Sequence, residues 1–232
     1  MHIFKRIVIA CSLCMSTSLL SYSHEESLVT IKPLESRYTR FNTLPGQNFL
    51  RNRLPMSDKR YLTMSRALDL LTQTEAKILI ETGTARNGEL NYAGDGGSTV
   101  IFADWAKQHQ ATFYSVDIDP QAVYNAQMAV QPFTPYVSVI CSDSVSFLET
   151  FAAPIDFLYL DSYDFDVNNP FPSQMHHLKE IIAAYPKLHE NSIVMIDDCD
   201  LPHGGKGLLA IKYLLERDWK IILQGYQTIL SR

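Results

Sequence analysis

Thr112-Phe113-Tyr114-Ser115-Val116-Asp117-Ile118-Asp119-Pro120, followed by the apolar-patterned run 121–130, reads as one strand, one turn and one helix. The first residues are aromatic, β-branched or small, and they suit a pleated, half-buried surface. Two acidic residues stop the run. Pro120 then takes the first helical turn, where its missing N–H leaves no bond unmade. A strand that ends in carboxylates and passes directly into a helix is half of a parallel crossover unit.

The same unit recurs in both directions along the chain. Strands are predicted at 77–81, 112–117, 137–141, 155–161 and 192–197, with helices at 98–109, 120–130, 144–151, 173–188 and 205–217. In the fourth helix Leu178, Ile181, Ile182 and Tyr185 share one face. A further helix over 58–71 places Tyr61, Met64, Leu68 and Leu71 at helical spacing. The segments 219–223 and 227–230 flank Gly225-Tyr226 and read as a terminal hairpin. The expected fold class is α/β: a doubly wound, Rossmann-like, mostly parallel seven-stranded sheet with a C-terminal antiparallel hairpin.

The composition is that of an ordinary globular chain, 46% hydrophobic and 19% charged over 232 residues. The formal net charge is -5 and no Lys/Arg stripe is present, which disfavours a nucleic-acid partner. Lys5 and Arg6, the apolar run from Ile7 to Leu20, and Ser21-Tyr22-Ser23 have the order of a secretory signal. That run is shorter than the ~20 residues a membrane span needs. The expected organisation is a signal peptide at 1–23, an N-terminal arm or lid at 24–57 and an α/β domain at 58–232. The mature protein would be exported, with a cytoplasmic or membrane-tethered location as the alternative. Its partner would be a small molecule, with a homodimer allowed. Cys141 and Cys199, the two cysteines outside the leader, form neither a disulfide framework nor a zinc spacing.

In an open α/β sheet, ligands bind beyond the carboxyl ends of the strands. Here those ends carry Glu81-Thr82-Gly83-Thr84, Asp117 and Asp119, Ser142-Asp143, Asp161, and Asp197-Asp198. Each Asp alone is explained as a helix cap or turn residue. Gathered at one rim, the carboxylates repel one another, and a cation, a polyhydroxyl ligand or a charged cofactor would relieve that repulsion. Gly83 would let the backbone approach such a ligand.

Those residues resemble the motifs of class I S-adenosylmethionine-dependent methyltransferases, over a stretch from about Leu68 to the C-terminus. The resemblance implies that Glu81, Thr82, Gly83 and Thr84 meet the methionine part of the cofactor, that Asp117 binds the ribose hydroxyls, and that Ser142 and Asp143 meet the adenine. The family's compact glycine loop is replaced by residues 85–97. These are either a surface insertion capped at Gly97 or Ser98, or a loop that folds over the ligand, with Ser98 opening the next helix at the cofactor.

A second resemblance, to metal-dependent O-methyltransferases of the macrocin and catechol types, rests on 158–164, 185–188 and 193–198. It implies that Asp161, Asp197 and Asp198 hold a divalent ion. An all-carboxylate set suits magnesium. The ion would bind an acceptor hydroxyl and ease its ionisation. Asp164 stands where the catechol-type pattern has a lysine, so the candidate bases are Asp164, His203 and Lys206. The alternative for the loop holding the last two is a flexible, solvated segment. His176-His177 reads as solvent-facing polarity on a helix. The resulting expectation is metal-assisted O-methylation of a small hydroxyl-bearing acceptor. The alternative is a non-catalytic exported cofactor- or metal-binding protein on the same fold. A nicotinamide dehydrogenase is disfavoured by the absent compact glycine fingerprint.

Overall fold

A computed structural model of the chain describes residues 46–95 and 97–232. The expected signal peptide and the first part of the arm lie outside them. In chain order the helices are α1 (Gln47–Leu50), α2 (Tyr61–Gln73), α3 (Tyr92–Asp95), α4 (Ser98–His109), α5 (Pro120–Val130), α6 (Ser144–Thr150), α7 (Phe171–Ala184) and α8 (Leu208–Leu215). The strands are β1 (Ile78–Thr82), β2 (Thr112–Asp117), β3 (Val137–Cys141), β4 (Ile155–Leu160), β5 (Leu188–Ile196), β6 (Lys220–Gln224) and β7 (Thr228–Ser231).

They form one sheet in the order β3-β2-β1-β4-β5-β7-β6. Chain order reverses between β1 and β4, which places a ligand crevice at their carboxyl ends. The terminal hairpin is present, and β7 inserts between β5 and β6, antiparallel to both.

Period-two alternation feeds a separate core on each face of the sheet. Phe113, Phe157, Tyr159, Met195 and Ile229 face α2, α4 and α5, where Phe102 stacks edge-on to Phe157 at 5.0 Å. Ile80, Leu158, Leu160, Val194 and Leu230 face α6, α7 and α8, against Leu148, Ile181 and Leu214. Both faces of the central strands are covered, as a parallel sheet requires.

The structure adjusts several boundaries. Part of the stretch read as an arm is seated in the core: Phe49, Leu50 and Leu54 are buried. A four-residue helix is too short to show periodicity. Helix α7 gives way at Tyr185–Lys187 to a 3-10 turn, because Pro186 cannot continue the helix. Strand β5 consequently starts at Leu188, ahead of its expected start. Among the described residues no helix is long and apolar enough to cross a membrane.

Candidate active site

β1 ends at Thr82 and the chain turns at Gly83, with φ at +84°. A Cβ at Gly83 would lie 2.5 Å from the Asp161 carbonyl oxygen, so the ends of β1 and β4 come together only around a glycine. Glu81 points away from this junction into the protein. Its buried carboxyl accepts bonds from Thr99 and Ser115, each at 2.7 Å, and from Ser98. Burial pushes this carboxyl up to about 7, and the three hydroxyls hold it back from rising further. Glu81 therefore fastens β1, β2 and the start of α4 beneath the 85–97 loop. Thr82 is fully buried, and its hydroxyl has no partner among the described residues.

A cavity of about 490 Å³ opens over the ends of β1, β2 and β4, within the range that holds small molecules and cofactors. Gly83, Asp117, Asp119, Asp143 and Asp161 line it. Asp117 receives the amides of Thr84 at 3.1 Å and Asp119 at 2.9 Å, which fixes its carboxylate toward the crevice. Asp119 and Asp143 also cap helices, accepting from the amides of Gln121 and Ser146. The amide and hydroxyl of Ser146 hold Asp143 below the usual carboxylate range. The Ser142 hydroxyl turns to the Asp143 carbonyl, and Ser142 is not in the wall.

His176 corrects the expectation of a solvent-facing pair. It lines this cavity, with its Nε2 3.1 Å from the Ser144 hydroxyl and its ring 5.4 Å from that of Tyr163. Glu180, one helical turn on and fully buried, stands 3.4 Å from the same nitrogen and takes a 2.7 Å bond from Ser162. The Glu180 contact raises the His176 pKa. His177 is buried outright, bonded through Nδ1 to the Ser173 carbonyl at 2.7 Å. The i,i+4 spacing of His176 and Glu180 is the sequence signal that could have found the pair.

A second cavity of about 230 Å³ lies over the ends of β1, β4 and β5. Gly83, Arg86, Asp161 and Asp164 line both cavities, so the two adjoin. Thr84 and Ser98 line the second one. Asp161, Asp197, Asp198 and Lys206 meet there, as does Tyr226, which donates to Asp198. Asp197 is buried, and both burial and the Asp161 carboxylate raise its pKa. A chain of side chains orients it: Gln227 Nε2 donates to the Tyr159 hydroxyl at 2.8 Å, which donates to Asp197 Oδ1 at 2.8 Å.

Lys206 is buried rather than solvated. Its ammonium lies 2.9 Å from Asp161 Oδ1 and 3.1 Å from Asp198 Oδ2. Burial alone would discharge it, but the carboxylates of Asp161 and Asp198 reverse that, and its pKa is raised. A lysine held this firmly as a cation is a poor proton acceptor. Asp164 is exposed and gripped by Arg86, whose hydrogen bonds lower its pKa. His203 lines neither cavity; its carbonyl accepts from Gln174. Of the three candidate bases, then, Lys206 and Asp164 reach the site as charged, paired groups and His203 stays outside it. The sequence reading missed Arg60 and Tyr226. Arg60 precedes α2 and donates to Asp58 and to the Gly94 carbonyl, which brings it to the second cavity.

The rim carboxylates do converge, as their positions at the strand ends implied. The nucleoside cofactor fits the larger cavity, whose excess of carboxylates over cationic side chains suits a ligand with positive charge. The divalent ion does not fit the residues as they stand. Among the described residues no group of three His, Cys, Asp or Glu side chains is arranged to hold a metal ion, and the Lys206 ammonium stands between two of the three expected ligands.

A family model described as a methyltransferase domain matches residues 93–199, just under half of the chain. A search of curated protein sequences returned no match. Among solved structures, NSun6 from Pyrococcus horikoshii with SFG aligns with a TM-score of 0.55 and 13% identity, over 71% of this chain and 50% of that one. This chain thus spans half the length of that protein. SAH-bound PaMTH1 from Podospora anserina aligns at 0.53 and 14%, covering 78% and 83%. CalS11, a TDP-rhamnose 3'-O-methyltransferase of calicheamicin biosynthesis, aligns at 0.55 and 15%, covering 82% and 88%.

Proposed function

We propose that this chain, which carries the class I methyltransferase fold and resembles S-adenosylmethionine-dependent O-methyltransferases, transfers a methyl group to a hydroxyl of a small polar acceptor. One observation carries the proposal. A cofactor-sized cavity over β1, β2 and β4 and a smaller polar cavity over β4 and β5 share Gly83, Arg86, Asp161 and Asp164. Two ligands bound side by side across that common wall are held for reaction by position.

Bound S-adenosylmethionine would supply an electrophilic methyl on a sulfonium. Asp117 would hold the ribose diol and Gly83 would admit the methionine part at the β1 turn, as the resemblance implies. Asp143 and His176, which line the same cavity, would meet the adenine. In the second cavity Arg60, Arg86 and Lys206 present donors, while Asp197 and Asp198 present acceptors. That mixture suits an acceptor carrying several hydroxyls, the kind of substrate named for CalS11. The acceptor hydroxyl must lose its proton as the oxygen bonds to the methyl; Asp197, a carboxyl of the same cavity, would take that proton, and Lys206 would steady the negative charge on the oxygen until the methyl is transferred.

Calorimetry with S-adenosylhomocysteine and with NAD, followed by methyl transfer to a panel of polyhydroxylated and phenolic acceptors, tests the proposal. Binding of S-adenosylhomocysteine with turnover on a hydroxyl is the expected result. Binding of NAD alone would overturn it. Binding of S-adenosylhomocysteine without turnover on any acceptor would favour the non-catalytic reading, which the signal expected at 1–23 motivates, since the cofactor is a cytoplasmic metabolite.

A further inference from the structure

Where resemblance predicts a divalent ion, the chain has placed a side chain. We propose that Lys206 is the resident cation of the acceptor cavity and stands in for a metal, so that the site works with its own ammonium. The proposal rests on the methyltransferase reading for its chemistry, and on packing for its placement.

The packing is specific. Lys206 belongs to the Gly204–Gly207 turn ahead of α8, and its amide donates to the Asp198 carbonyl at 3.2 Å. Gly205, at φ +57°, lies against the same carbonyl, where any Cβ would collide at 1.7 Å. Buried Gln174 on α7 donates to the carbonyls of His203 and Gly205, both at 3.0 Å. A Cβ at Gly207 would meet the Cys199 sulfur at 2.6 Å. These contacts hold the backbone of this turn against the end of β5 and against α7. The lysine stem enters the protein and cannot swing freely in solvent.

The ammonium then sits where the expected ion would, between Asp161 and Asp198. It has three protons, of which these carboxylates account for two, and Lys206 also lines the cavity. A donor is thereby available to an acceptor oxygen. A divalent ion placed between the same carboxylates would meet an ammonium within contact distance, and like charges so close repel strongly at low dielectric. The ion and Lys206 compete for one place. The acceptor class that follows is a single hydroxyl, whose proton passes to a carboxylate of the cavity and whose oxygen is negative beside the ammonium until the methyl bond forms, rather than a chelating diol that needs a metal.

The test is a Mn2+ titration of the purified full chain, followed by the spin-resonance signal of free Mn2+, on wild type, Lys206→Met and Asp198→Asn. Wild type is expected to show no saturable site at millimolar metal. Lys206→Met, with its carboxylates released, is expected to bind Mn2+ at least tenfold more tightly than wild type. A saturable wild-type site that Asp198→Asn abolishes would overturn the proposal. So would a folded Lys206→Met that binds no more metal than wild type. The wild-type titration needs no variant to fold. A calorimetric S-adenosylhomocysteine titration on the same samples reports separately on the methyltransferase reading, since a protein that binds neither ligand loses that reading and keeps this one.

Discussion

Arg86 grips Asp164 with both terminal nitrogens, Nη2 to Oδ1 at 2.8 Å and Nη1 to Oδ2 at 3.2 Å. The pair joins the loop after β1 to the loop after β4, on the wall common to both cavities. Both side chains are more than half exposed, so the pair contributes at most about 1 kcal/mol to stability. Its effect on function should be larger. Arg86→Ala is expected to move the melting temperature by only a few degrees while lowering kcat/KM for the acceptor about tenfold, a loss of ~1.4 kcal/mol in the transition state. Parallel melting curves and steady-state kinetics check this, and equal small effects on both would mean the clasp is ornamental to turnover.

Helix α7 carries a second testable pair. The His176 pKa is raised, by Glu180 first, so protonated His176 stabilises the fold fully below its ordinary 6.5, and that stability is lost as pH rises through the folded value. His176→Ala would leave Glu180 buried without its histidine, held by serine hydroxyls such as that of Ser162. The variant should lose ~1–3 kcal/mol, more at mildly acidic pH than at alkaline pH. Urea unfolding at both pH values measures the difference, and a pH-independent deficit would show that His176 is neutral in the folded protein.

How much of this could be read in the sequence depended on the range of the forces involved. Strand and helix alternation is local, and it gave the sheet, the glycine turn after the first strand and the carboxylates at the strand ends. The partner of each carboxylate is not local. Lys206 follows Asp161 by 45 residues and reaches it only because Gly205 and Gln174 seat its turn against β5. Sequence therefore supplied the acidic residues and assigned their counter-charge to a metal, while packing supplied a lysine. His176 was misread for a related reason: adjacent histidines look polar along the chain, and only the contact of α7 with the sheet buries His177 and turns His176 to the cavity. Arg60 lay at the start of the helix predicted over 58–71, where a lone arginine reads as a solvated end, so nothing in its surroundings pointed to the second cavity.

Asp117 offers a cleaner test of the cofactor cavity. Its carboxylate accepts from the Thr84 and Asp119 amides and is partly open to the crevice, so its removal leaves the core intact. Charged hydrogen bonds to a diol contribute ~1.5–3 kcal/mol, which is about 10- to 150-fold in affinity. Asp117→Ala should weaken S-adenosylhomocysteine binding by that factor in calorimetry. Unchanged affinity would move the nucleoside out of this cavity.

Glu81 predicts a pH-dependent stability of its own. Its folded carboxyl sits at about 7 against an ordinary 4.5, so the folded state holds this proton more tightly than the unfolded chain does. A raised carboxyl pKa stabilises the fold fully below the unfolded value, and the contribution fades as pH rises through the folded one. Between those two pH values the cost of ionising the buried group accumulates to ~3 kcal/mol, and above about 7 it stays constant. Glu81→Gln keeps the shape and removes the titration, leaving Ser98, Thr99 and Ser115 to rotate their hydroxyls toward the amide. Denaturant unfolding of wild type and Glu81→Gln at about pH 5 and about pH 8 compares the two slopes. The wild type should lose about 2–3 kcal/mol more than the variant across that interval, part of the cost having already accrued by about pH 5. Parallel pH profiles would show that Glu81 is already ionised at the lower pH, its charge carried by the three hydroxyls.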